Sequence, residues 1–386
     1  MKKKELVIID LVDNQDIKLL NQYYIKINNG DLIYNKNCKK IQLNLNNFFK
    51  NRKKNILNFF HKLHKSIDNI NLDINSIEME IFNLRHDKSN FIEKILYLEN
   101  LSIIINSKKF QIKKIITDNE DFAKTIKINF KNIDVFIINK KSKEFSINLY
   151  LSVVKYFIKI FILSTFFKLT NFKKLYKKKD YNITLYPHFF NRNKCKIYKN
   201  NYVNLNFLLG DETQLGNSVK ELIKKAHTIN RLKGVMPIER NITYLNLMKI
   251  FINNVKQCYK FNNFFKKKII YNKFIVSNIL KKHLILSFLN RIKLSYYDEA
   301  IKKIINPQTT TKINYFMFEY SFGFYLSNLL RNISKGIKTT GYQHGIFTKK
   351  LMWLDILNNQ NREVYLPDKI ISNQFLSTKA YSKYIN

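Results

Sequence analysis

His344 sits between two glycines in Gly341-Tyr342-Gln343-His344-Gly345, directly after Lys338–Tyr342, a run that reads as a β-strand. Imidazole is the side chain whose ordinary proton affinity lies nearest neutral pH, so a histidine offered at a strand end suits proton transfer or hydrogen bonding to a substrate. Glycines beside it free the backbone for a turn and let a ligand come close. Only 8 glycines and 4 prolines occur in 386 residues, so their gathering here is informative. Glu319 follows another strand-like run, Lys312–Phe318, and a carboxylate delivered to the same sheet edge pairs naturally with the imidazole as a base or an acceptor clamp. The plainer readings are a loop histidine at His344 and, at Glu319, an acid that complements the start of the helix opening at Ser321. His188 follows Pro187 after the run Asn182–Tyr186, and Gln343, Gly341, Gly345 and His188 form the candidate substrate contacts. Asp211 and Glu212 follow Gly210 in a polar break, where a helix-capping turn accounts for them as well as a binding role does.

These residues need parallel strands to bring them together. Leu6–Leu11 is a short apolar run ending beyond an acid, as in a buried parallel strand. Helical spacing runs through 55–65 and 78–106. Lys114–Thr117, Asp118–Lys127 and Asp134–Ile138 then read as strand, helix and strand, with Asp118 or Asn119 as the N-cap. A second set opens at Asn182–Tyr186, continues through Tyr202–Leu209, a strand or a short turn, and a helix over Val219–His227, and passes into long helical patterns over 242–300. The last set is a strand at Lys312–Phe318, a helix at Phe324–Ser334, and strands at Lys338–Tyr342 and Lys369–Ser372. The chain is therefore expected to be α/β, with Rossmann-like parallel sheets flanked by helices. Its expected parts are an α/β region over 1–145, a region with long helices over 146–310, and a Rossmann-like segment over 311–386. Open sheets of this kind place ligands where strand C-termini deliver their loops.

Composition sets the bounds. A chain with 45% hydrophobic and 14% aromatic residues carries enough apolar surface for a folded core. The formal charge of +40 points first to nucleic acid. Only Arg52, Arg85, Arg192, Arg231, Arg240, Arg291, Arg331 and Arg362 are arginines, however, and arginine is the side chain that forks onto phosphates and bases, so a specific nucleic-acid role is set aside. The remaining positive field favours anionic partners, such as nucleotide diphosphates or an anionic membrane face. Cys38, Cys195 and Cys258 are widely spaced and odd in number, which suits a reducing cytoplasm better than a disulfide framework. Asp10 and Asp13 interrupt the apolar start, so no signal-peptide core is expected. Leu149–Thr170 is strongly apolar but holds Lys155, Lys159 and Lys168. A core helix is the preferred reading there, with peripheral docking at the inner membrane as the minor one.

Phe318–Leu330 (FEYSFGFYLSNLL), Gly341–Phe347 (GYQHGIF), Met352–Leu357 (MWLDIL) and Leu366–Asn373 (LPDKIISN) together resemble bacterial surface-carbohydrate (capsule or O-antigen) biosynthesis glycosyltransferases. Leu185–Phe190 (LYPHFF) and Leu208–Leu215 (LLGDETQL) resemble segments of the same proteins. More distantly, the His-Gly and Pro-Asp blocks are similar to those of CDP-glycerol glycerophosphotransferases, which have the two-Rossmann-domain GT-B fold. The resemblance implies transfer of a sugar or polyol phosphate from a nucleotide-activated donor to a glycan acceptor, with no Asp-x-Asp metal site and no cofactor beyond the donor substrate. It also implies His344 or Glu319 as base. In the related two-domain enzymes these blocks lie towards the end of the first domain, so the sequence leads us to expect that the C-terminal nucleotide domain is missing or truncated. The competing expectation is a truncated, non-catalytic carbohydrate-assembly partner.

Overall fold

Phe110–Thr117 (β5) carries the buried Ile112, Ile115 and Ile116 and runs into Asn119, whose side-chain Oδ1 accepts from the Phe122 amide at 2.8 Å and starts the helix Glu120–Asn129 (α3). Asn119 thus satisfies one of the amides a helix start leaves open, and Glu120 and Asp121 add acid where the helix dipole favours it. Asp134–Ile137 (β6) then pairs parallel to β5, completing the βαβ unit expected from the sequence.

The computed structural model describes residues 4–10, 23–28, 31–36, 39–43, 45–68, 91–106, 110–137, 148–170, 181–187, 203–209, 219–230, 236–308, 310–316, 321–334, 336–343, 366–372 and 375–382. The chain divides into two units. The first is Met1–Leu72, Leu84–Ile147 and Lys260–Ile285; the second is Asp73–Asn83, Asn148–Tyr259 and Leu286–Asn386.

In the first unit, Lys4–Asp10 (β1), Tyr23–Asn28 (β2), Asp31–Lys36 (β3) and Lys39–Leu43 (β4) join β5 and β6 in a six-stranded sheet ordered β4-β3-β2-β1-β5-β6. Its β2, β1, β5 and β6 are parallel, while β3 pairs antiparallel with both β2 and β4 at one side. Helices Leu45–Asp68 (α1) and Phe91–Asn106 (α2) supply the aromatic core. Phe91 packs against Phe59 and Phe60 with ring centroids 6.3 and 6.1 Å apart, and Tyr271 meets Phe59 edge-on at 5.3 Å. Tyr271 belongs to a two-stranded hairpin, Ile270–Tyr271 (β10) and Phe274–Ile275 (β11), turned by Asn272 at φ 51°. Asparagine is among the few residues other than glycine that accept this left-handed backbone.

The second unit has an all-parallel sheet of Tyr181–Pro187 (β7), Val203–Leu209 (β8), Met236–Pro237 (β9), Thr310–Phe316 (β12), Lys338–Tyr342 (β13) and Lys369–Ile371 (β14). Its order is β14-β13-β12-β7-β8-β9, so the first strand in sequence lies beside the fourth and the chain winds outward on both sides. The α/β class and the Rossmann-like parallel sheet flanked by helices are therefore present. Strands from both the 146–310 and the 311–386 regions hydrogen-bond into this one sheet. The strand carrying the start of the GYQHG block and the strand that follows LPD thus belong to the second of two α/β units. Its helices are Leu149–Leu169 (α4), Val219–Asn230 (α5), parts of Tyr244–Phe265 (α6) and Ser277–Ile304 (α7), Ser321–Ile333 (α8) and Phe375–Tyr381 (α9), and the division between units falls within α6 and α7.

Candidate functional site

Because β8, β7, β12 and β13 are adjacent and parallel, Leu209, Pro187, Phe316 and Tyr342 end on one edge of the second sheet. The residues following these strand ends in sequence include Asp211 and Glu212, His188, Glu319, and His344 with Gly345. All six lie outside the described residues. The boundary between β7 and β12 is the point where the winding reverses, and in open α/β sheets ligands bind outside the C-terminal strand ends at that point.

Two predicted contacts can be placed. Gln343 is 4% exposed. Its amide N–H donates to Ile371 O at 2.9 Å, and its side-chain Nε2 donates to Ser377 Oγ at 3.0 Å, joining β13 to β14 and α9. Gly341 is a buried residue of β13 in register with Tyr315 on one side and Ile370 on the other. Its small size therefore acts inside a strand, not in a turn. Between these two faces, the Tyr315 hydroxyl bonds Ser327 Oγ of α8, and Ser327 Oγ donates to Gly323 O, so α8 covers the face that carries Tyr315. Burial pushes the Tyr315 hydroxyl well above its ordinary proton affinity, which keeps it neutral.

The opposite face carries a row that sequence reading missed. Thr184, Asn314 and Thr340 occupy one register line across β7, β12 and β13. Thr184, Asn314 and Thr340 are buried. Among the described residues, Thr184 Oγ1 and Asn314 Oδ1 have no hydrogen-bond partner. These oxygens lie on the two strands that bound the winding reversal, three positions before Pro187 and two before Phe316. A buried oxygen left without a donor costs about 1–3 kcal/mol, so the row suits a bound water or a polar ligand atom. The sequence signal was a polar residue within each strand, and it gains meaning once the register aligns Thr184, Asn314 and Thr340.

Glu239 was also missed. It follows β9 in the 3₁₀ turn Ile238–Asn241, is 0% exposed, and accepts from the Tyr297 hydroxyl at 3.2 Å. The Pro-Asp motif lies at the other edge of the sheet. Asp368 Oδ2 accepts from both the amide and the hydroxyl of Thr339 at 2.7 Å, the Asp368 amide donates to Thr339 Oγ1 at 2.9 Å, and Arg331 Nη2 donates to Leu366 O at 3.1 Å. Asp368 therefore ties the start of β14 to the start of β13, at the opposite end of β13 from Tyr342.

In the first unit, Glu99 of α2 forms a second buried polar centre. It accepts from the Tyr271 hydroxyl at 3.1 Å and Asn272 Nδ2 at 2.8 Å, and it pairs with Arg52 at 3.5 Å. Burial, and then the Glu99 carboxylate, push the Tyr271 hydroxyl up. This group anchors the β10–β11 hairpin to the helices. Among the described residues no three His, Cys, Asp or Glu side chains lie close enough together to hold a metal ion.

Comparison with protein-family models, curated proteins and solved structures finds no match for this chain.

Proposed function

We propose that the chain is a GT-B-like glycosyltransferase of surface-polysaccharide assembly that transfers a sugar or polyol phosphate from a nucleotide-activated donor to a glycan acceptor. One observation carries the reading: four adjacent parallel strands end together around a winding reversal, and each leads in sequence into one of the proposed polar residues. A nucleotide diphosphate suits such an edge because backbone amides and helix N-termini offer donors to phosphate oxygens. Two α/β units, each with a parallel core, are what a GT-B arrangement requires, and the second unit has a full six-stranded doubly wound sheet. In this reading the second unit, which carries the motifs, takes the nucleotide in place of the separate C-terminal domain that the motif order led us to expect, and the motif resemblance supplies the reaction class.

The chemistry assigned to the chain is that of a base and a phosphate cradle. His344 or Glu319 removes the acceptor hydroxyl proton as the new glycosidic or phosphodiester bond forms, and the nucleotide leaves carrying the negative charge. His188, Asp211, Glu212 and Gly345 are proposed to shape the substrate contacts, while Gly341 belongs to the strand packing of β13. Gln343 acts through β14 and α9, since its side chain bonds Ser377.

Isothermal titration with UDP-, CMP-, CDP- and GDP-activated sugars tests binding, and turnover of the ligand that binds tests the reaction. The expected result is a dissociation constant in the micromolar range for one nucleotide class. His344→Ala is expected to lower turnover by roughly two orders of magnitude or more, as for loss of a general base. Absence of binding across the panel refutes the transferase and favours the assembly partner. Undiminished turnover by His344→Ala removes His344 as base and leaves Glu319 in that role.

A further inference from the structure

The second unit carries an apolar face that its own core does not use. Helix α4 buries Val153, Ile160, Leu163 and Phe167 along one side. Leu151, Val154, Ile158, Phe161 and Leu169 recur at helical spacing on the opposite side and are exposed, Leu151 to 66% and Leu169 to 79%. Helix α6 extends the same surface. Phe251 packs on Phe157 with centroids 4.6 Å apart, Tyr244 lies 5.5 Å from Phe161, and the Tyr244 hydroxyl donates to Thr165 Oγ1 at 3.1 Å. Beyond that seam α6 exposes Leu245, Met248, Ile252 and Tyr259. Two neighbouring helices thus present one broad apolar band, larger than the scattered apolar residues of an ordinary surface.

The charges around the band identify its occupant. Lys155, Lys159 and Lys168 lie on α4 and Lys249, Lys256 and Lys260 on α6, while neither helix contains an aspartate or glutamate. A second copy of this chain would bring another +40 of formal charge and the same lysines against the face, which disfavours self-association. A bilayer carrying anionic headgroups supplies apolar depth for the band and negative charge for its lysines. Helix α4 is long enough, at 21 residues, to cross a membrane. It is held down instead: Ser164 Oγ and Lys168 Nζ both donate to Ile242 O, at 3.1 and 2.6 Å, and its other side is packed.

We infer that the α4–α6 face lies flat in the interface of an anionic membrane, with Leu151, Val154, Ile158, Phe161, Met248 and Ile252 entering the headgroup boundary. This inference stands apart from the transferase reading and is tested without any turnover.

Flotation of the full chain with vesicles of phosphatidylcholine alone, and of phosphatidylcholine with one quarter phosphatidylglycerol, provides the test. The chain is expected to float with the anionic vesicles. The charge-neutral variant Leu151→Ser/Ile158→Ser/Ile252→Ser is expected to bind about tenfold more weakly or less, because apolar burial is lost while every lysine remains. If the native chain fails to float, or if the variant binds as tightly as the native chain, the inference is overturned. Sedimentation equilibrium showing a dimer that the variant dissociates, with no vesicle binding, overturns it in favour of a second copy. A second readout does not depend on the triple variant folding. In a Trp353→Phe background, Leu151→Trp emission is expected to shift to the blue when anionic vesicles are added, and an unshifted spectrum counts against the membrane.

Discussion

Asp368 shows that a residue of a resemblance motif can serve the fold itself. Its carboxylate takes two hydrogen bonds from Thr339 and its amide gives one back, so the Pro-Asp motif locks β13 to β14 at the starts of these strands. Asp368→Ala is expected to lower stability by about 1–3 kcal/mol, since it strands the Thr339 amide and hydroxyl, with nucleotide-sugar affinity unchanged; urea denaturation and titration check the two halves. Arg331→Ala should cost less than about 1 kcal/mol through its charge, because the pair is 3.4 Å long and both side chains are more than a third exposed. Gln343 teaches the same lesson, for its neighbours in sequence suggested a binding loop while its side chain turns inward to Ser377. A side chain's direction depends on strand pairing and helix docking, and residue type alone does not reveal either.

Among the elements, α3 was legible to within two residues: the sequence offered Asp118 or Asn119 as the cap of a helix over Asp118–Lys127, and the structure has Asn119 capping Glu120–Asn129. Asn119 follows an apolar strand run and precedes two acids, and the capping bond to Phe122 follows from that order. Asn119→Ala is expected to destabilise the chain by about 1 kcal/mol, and Asn119→Asp to leave it nearly unchanged, as measured by chemical denaturation. The strands β2, β3 and β4 escaped notice because lysine and asparagine break up their apolar alternation, although Asn29-Gly30 between β2 and β3 is a hairpin signal in the sequence. The hairpin β10–β11 was absorbed into the helical pattern of 242–300, since two-residue strands leave no periodicity to read. For α4 the preferred core-helix reading describes only one of its sides. Nearly every position is apolar, so sequence spacing could not separate the buried stripe from the exposed one.

Over the whole molecule, burial makes stability depend on pH in the alkaline range. Desolvation pushes the Cys258 thiol and the Tyr296 hydroxyl, both in the second unit, up to about 12 from ordinary values of 9.0 and 10.0. Both groups stay protonated in the fold while the unfolded chain loses those protons, so the unfolded state binds fewer protons and stability falls as pH rises. Their contribution is complete below pH 9.0 and is lost between there and about 12, at up to roughly 1.4 kcal/mol per pH unit for each group. Thermal melts from pH 8 upward check this, and Cys258→Ala should flatten the first part of the decline. The sequence by itself determined the α/β class, the βαβ unit at 110–137, and most strands of the second sheet, because apolar periodicity and capping residues act over a few neighbours. It also brought forward Glu319, His344 and their companions by type and scarcity. Tertiary structure alone decided the strand order β14-β13-β12-β7-β8-β9, the joining of the 146–310 and 311–386 regions in one sheet, the alignment of Thr184 with Asn314, and the exposed side of α4. Each of these depends on which distant segments meet, and pairing across more than a hundred residues leaves no mark in local spacing.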